Sequence, residues 1–247
     1  MIAQLRSELR KLATTRTSAG LLLGLVALIL LGVIGGAFSR TADLSLVEDQ
    51  REMVGNGGFA AVFAALIGVT AITGELRHGT IQATFVFTPA RTWVIAAKAL
   101  ASLLVGTAFG ALGAGIALGA GAAMIRARGF DVLVDGADVR RLLLGGILMS
   151  ALWAALGVGL GALVRNQVAA IVGLFAWVFV VEIIVLQYLP AVGRYTPGVA
   201  GTALTGDAVA DSSVHLLTAP VGGALLAAYT AAFVLAGTLL TNRRDVT

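Results

Sequence analysis

GELRHGTIQATFVFTPARTWVIAAK, residues 74–98, is a short polar interruption between two long apolar runs, and its reading decides the fold. Glu75, Arg77 and His78 come first, followed by the aromatic pair Phe85 and Phe87, a Thr88-Pro89 step, and then Arg91, Trp93 and Lys98. Threonine is a good N-cap and proline a good first helical residue, so this step predicts the start of a new helix. Trp93 and Arg91 beside it suit a membrane–water boundary, where an amphipathic ring and a cation on a long stem are both accommodated. The stretch therefore reads as a hinge lying at a membrane surface between two spans.

Composition agrees with that class. Of 247 residues, 58% are hydrophobic and only 12% charged, and mean hydropathy is +0.96. Soluble domains carry about 25% charged residues, so this is an integral membrane protein. With no cysteine there is no disulfide, thiolate site or cysteine nucleophile, and two histidines without an acid-rich cluster argue against a metal centre. The net charge of +4 does not point to nucleic acid, because the bases sit mostly at the ends of apolar runs.

Upstream of the hinge, residues 1–17 place Ile2, Leu5, Leu9 and Leu12 at helical spacing with Arg6, Glu8, Arg10 and Lys11 between them. This predicts an amphipathic helix lying flat on the cytoplasmic surface. A secretory leader is disfavoured because the apolar run at 18–38 is about twice the length of a leader's apolar core. That run is the first span; a mixed loop follows at 39–56, and 57–73 is the second span.

Downstream, a helix starting at Pro89 and running to Ile125 would be about 55 Å long at 1.5 Å per residue, more than a bilayer core. A polar loop with four arginines and three aspartates occupies 126–141. Spans four, five and six are read at 142–164, 168–189 and 220–240, with a Pro- and Gly-punctuated segment at 190–219 before the last. Glu182 is the one acid within the fifth span; a structural hydrogen bond and a place on a translocation path are the two readings for an acid at that depth. Tyr188, Tyr195 and Trp93 read as interface anchors.

Six spans put both termini on one side. With the N-terminus inside, ten Lys and Arg fall inside and seven outside, which favours that orientation. The arginines of 126–141 pull the other way. Small-xxx-small pairs at Gly20/Gly24, Gly32/Gly36, Gly106/Gly110, Gly115/Gly119 and Gly157/Gly161 are candidates for close helix contacts.

Nucleotide chemistry has no place on this chain. GTALTG at 201–206 has the glycine spacing of a phosphate loop, but Asp207 stands where the phosphate-binding lysine belongs. Gly113-x-Gly115 and Gly157-x-Gly159 fall inside spans and lack the strand and acid of a dinucleotide site. Neither His78 nor His215 sits in a nucleophile–base–acid grouping.

The order of parts resembles the membrane (permease) subunit of a type-2 ATP-binding-cassette (ABC) exporter. The hinge carries the likeness: Glu75, Gly79-Thr80-Ile81, Thr88-Pro89 with Arg91, and Lys98 are similar to the acid, Gly-Thr, Pro-x-Arg and Lys pattern between spans two and three of that family. The resemblance implies an all-α, six-span single transmembrane domain over 1–247, with an N-terminal interfacial helix, a cytoplasmic coupling hinge at 74–98 and an extracellular re-entrant segment at 190–219. It implies that Glu75, Arg77, Gly79, Thr80, Pro89 and Arg91 couple to a separate ABC ATPase subunit, which would hold ATP and Mg while this chain holds no cofactor. A second permease copy and a plasma-membrane location with both termini cytoplasmic belong to the same expectation, and Glu182 is a candidate for lining the translocation path. On the residues alone, the hinge charges are also readable as solvated interfacial ends. An ATP-independent secondary transporter and an intramembrane enzyme are the other classes; the first would show an internal repeat, and none is visible between 1–123 and 124–247.

Overall fold

The computed structural model describes residues 2–39, 42–81, 90–206 and 216–243, and every regular element among them is helical. In chain order these are α1 (Ile2–Thr14), α2 (Arg16–Ala37), α3 (Val47–Gly55), a 3-10 turn (Asn56–Gly58) and α4 (Phe59–Arg77). Then come α5 (Arg91–Ala127), α6 (Gly136–Val164), α7 (Gln167–Ala176), a π turn (Trp177–Val181) and α8 (Glu182–Tyr188). The short α9 (Pro190–Gly193) and α10 (Pro197–Thr205) precede α11 (Ala219–Arg243). Among the described residues, six helical runs are long and apolar enough to cross a membrane, with α3–α4 forming one and α7–α8 another.

Several boundaries differ from the sequence reading. Thr88 and Pro89 lie outside the described residues, and the third span's helix is described from Arg91, with Ala90 as N-cap. It keeps the expected length, 37 residues, about 56 Å. The second span begins not at 57 but at Val47, giving a run of 31 residues. Its first turns carry charge and so read as loop, yet Glu48 and Asp49 sit in the first turn of α3, where acids complement the positive end of the helix dipole. Gln50, Met53 and Val54 form the buried stripe at helical spacing. The fourth span likewise starts early, at Gly136, because Asp135 caps it by accepting bonds from the Ala137 and Asp138 amides.

The N-terminal helix is not simply laid on a surface. Leu5, Leu9 and Leu12 pack into the core shared by α2, α4 and α5, so the apolar face of α1 is spent on the bundle. The centre of that bundle is α6, which packs on α4, α5, α10 and α11 and is the most buried of the spans. Lipid gives helices little hydrophobic reason to associate, so the closeness of their backbones matters. A Cβ added at Gly106 would lie 2.6 Å from the Ser150 carbonyl oxygen, and one at Gly110 2.7 Å from that of Gly146. Gly157 and Gly161 press in the same way on Ala65 and on Ile72 and Val69 of α4. Gly32 and Gly36 face Asn56 and Met53, and Gly24 faces Phe63, whereas Gly20, Gly115 and Gly119 meet nothing.

The arrangement gives the bundle two polar ends. At one, α1 meets the end of α4 and the start of α5, and the start of α5 meets the end of α11. At the other, α3 meets the connection between α5 and α6. There the Gln50 side chain is fully buried: its Nε2 donates to the Leu44 and Asp131 carbonyls, both at 2.8 Å, and its Oε1 accepts from the Leu133 amide. Arg51 adds a salt bridge to Asp138 at 2.6 Å.

Candidate functional site

The first polar end contains the hinge, and its chemistry begins with Lys98. This lysine lies two turns into α5 with its side chain fully buried. A buried ammonium needs its three protons accepted and its charge compensated. Lys98 Nζ donates to Glu8 Oε2 at 2.7 Å, to Glu75 Oε1 at 2.8 Å and to the Ala71 carbonyl at 3.3 Å. Lys11 closes the figure, donating to Glu8 Oε1 at 2.9 Å and to Glu75 Oε1 at 2.8 Å. Two acids and two lysines from three helices thus form a neutral ring, and Lys11 is its exposed corner. Burial works against the Lys11 charge, but bonds to Glu75 and Glu8 outweigh it and raise its pKa above the ordinary lysine value.

Glu75 is therefore not a solvated interfacial charge. Its side chain is only 13% exposed, and its second oxygen, Oε2, is buried with no hydrogen-bond partner. One helical turn further on, the chain leaves the bundle. Arg77, His78, Gly79 and Thr80 are all exposed, and Gly79 adopts φ +69°, a left-handed conformation that glycine reaches without strain. His78 and Gly79 donate their amides to Gly74 and Leu76 and end α4. Ile81 then returns to the core, where it packs with Ile72, Ile95 and Val158.

Arg91 belongs to the same end. It donates to the Thr241 carbonyl at 3.0 Å, and Asn242 donates to the Thr92 hydroxyl at 3.0 Å, so the start of α5 is tied to the end of α11. The structure thus brings Glu75, Arg77, Gly79, Thr80 and Arg91 to one end of the bundle, while Pro89 lies outside the described residues. Glu182 lies toward the opposite end. It is 5% exposed, and its Oε1 accepts from Trp177 Nε1 and from the Gly198 amide, each at 2.8 Å.

Sequence reasoning missed Glu8, Lys11 and Lys98 as a unit, together with Gln50, Trp177 and Gly198. A signal for Glu8 was present: it shares the face of Leu5, Leu9 and Leu12, and an acid on the buried stripe of an amphipathic helix requires a buried partner. No known protein-family model matches the chain, and no curated protein matches it.

Proposed function

We propose that this chain is the membrane subunit of an ATP-driven exporter of the type-2 ABC kind. It forms a translocation path with a second copy in the plasma membrane and is moved by a separate ATPase docked at the hinge, with both termini cytoplasmic. The observation that carries the reading is the ring at Glu75. The exposed turn Arg77–Thr80 is one helical turn from a carboxylate bonded to lysines of α5 and α1. A push on that turn is thereby delivered to three helices at once, which is what a coupling segment must do. The lightly buried first and fifth spans, with Leu23, Leu31, Val168, Val172 and Ile183 exposed, support contact with lipid and with the second copy. The short helices α9 and α10 support the reading of 190–219 as a segment folded back toward the membrane.

The ring also sets the chemistry of docking. Among the described residues, the acids at the hinge end are Glu8 and Glu75, and both are committed to lysines. The outward charges left there are those of the exposed Arg6, Arg10, Arg16, Arg77 and Arg243 and the half-buried Arg165. The surface that grips this end is accordingly acidic, and the grip weakens with salt because exposed charges are screened over about 8 Å at physiological ionic strength.

The test is to extract the tagged full chain gently from its native membrane and ask what accompanies it. An ATPase subunit that co-purifies, is shed at high salt and is lost in Arg77→Glu supports the proposal. Recovery of a chain that carries no ATPase, yet transports when driven by an ion gradient, overturns it.

A further inference from the structure

The second polar constellation, at Glu182, is built differently from the first: among the described residues its carboxyl is bonded by Trp177 and the Gly198 amide, and by no cation. Trp177 and Glu182 are five residues apart. On an α-helix, at about 100° per residue, they would lie about 140° apart and could not face each other. Here the span contains a π turn over Trp177–Val181, and its i→i+5 bond closes on this very pair: the Glu182 amide donates to the Trp177 carbonyl. That shift in helical phase brings the indole N–H onto Glu182 Oε1. The same oxygen accepts the amide of Gly198, in the first turn of α10. A Cβ at 198 would collide with Glu182 Oε2, so any side chain there would have to push the carboxyl out of its present place.

What this carboxyl holds is a nine-residue helix with most of its surface inside the protein. Pro197, Val199, Ala200, Gly201, Ala203, Leu204 and Thr205 of α10 are buried. The helix wedges between α6, where Leu204 meets Gly145 and Gly201 meets Met149, and α11, where Ala200 and Ala203 meet Gly222. Leu186 of α8 also packs against Gly193 just before it. Among the described residues, the hydrogen bond that joins α10 to the fifth span is the one from the Gly198 amide to this carboxyl.

We infer that Glu182 is a releasable staple between the fifth span and α10, and that Trp177 is its positioning residue, held in phase by the π turn. With the turn in its π register the carboxyl is presented to Gly198 and α10 stays seated between α6 and α11. If the turn relaxes to α register, Trp177 rotates away, the carboxyl loses its support, and α10 is free to leave its groove. The device belongs to the fold and does not depend on what drives transport.

The test uses the absence of native cysteine. Val199→Cys, a nearly buried position on α10 at 7% exposure, is introduced in the full chain in lipid nanodiscs, and its reaction rate with a water-soluble maleimide is measured. Glu182→Gln keeps an acceptor and should react within twofold of the Val199→Cys parent. Glu182→Leu should react at least tenfold faster, and Trp177→Phe, which loses one donor, should fall between. Should Glu182→Leu fail to accumulate, Gly198→Ala displaces the carboxyl sterically and should also accelerate labelling at least tenfold. Unchanged labelling in the variants that break the Gly198 bond, or Gln as fast as Leu, overturns the staple. Trp177→Phe labelling at the parent rate overturns the role given to the indole.

Discussion

Lys98 shows how one residue constrains its neighbours. An isolated ammonium in the interior of a helical bundle is not tolerable, and its presence requires Glu8 and Glu75. Removing one partner of a buried pair costs about 3–5 kcal/mol, whereas replacing both with apolar side chains of similar size can be close to neutral. Lys98→Met and Glu8→Leu alone should therefore each lower thermal stability in detergent, and the double variant should be more stable than either. Because Glu75 and Lys11 remain as a balanced pair in the double variant, additive losses would show that the ring is not an ionic unit. Asp135, outside the spans, gives a pH prediction. The Asp138 amide, then that of Ala137, bonds its carboxylate and lowers its pKa below the ordinary value. A carboxylate lowered in the folded state stabilises above its unfolded pKa, and that contribution is lost as pH falls through the folded one. Asp135→Asn keeps a capping oxygen but cannot titrate, so its melting midpoint should fall less than the parent's below about pH 4, near the unfolded aspartate pKa.

At the level of elements, most of the spans were legible because a run of apolar residues is a direct statement about a solvent. The misread parts share a cause: their meaning depends on contacts made far along the chain. The charges of α3 read as loop, but Gln50 is buried because it bonds Asp131 and Leu133, more than eighty residues on. Glu75 was visible as a hinge acid, while its partners Glu8 and Lys98 are separated from each other by 90 residues and meet only in the fold. The π turn has no spacing that announces it; the bulky run at 177–181 merely lowers α preference. The glycine pairs were equally ambiguous, and the structure sorts them. Gly110→Val should separate α5 from α6 and destabilise by about 1–3 kcal/mol, as overpacking does. Gly119→Val, which meets nothing within 4 Å, should not. Equal melting shifts for the two would mean that α5 and α6 are not in the described contact.

For the whole molecule, the two polar ends translate into sides of a membrane. Single cysteines at Ala42 and Gly136 should react with an impermeant reagent from one side of sealed cells, and those at His78 and Asn166 only after permeabilisation. Labelling of His78 from outside would remove the hinge from the side on which an ATP-consuming partner is found. The arginines at 126, 128, 140 and 141, which oppose the charge rule if the N-terminus is inside, are accompanied by a salt bridge and an amide cluster binding this connection to α3, so its placement follows that of α3.

The length of α5 has a mechanical consequence. It is a single uninterrupted helix of 37 residues, nearly twice the roughly 30 Å of a bilayer core. It is gripped near one tip by the Lys98 ring and, beyond the other, by the Gln50 cluster. Such a rod is a lever with its fulcrum among the Gly106 and Gly110 contacts. A tilt of about 5° about its middle carries each tip roughly 2.4 Å in opposite directions, given a rise of 1.5 Å per residue. That travel is enough to break a hydrogen bond at one surface of the membrane when force is applied at the other.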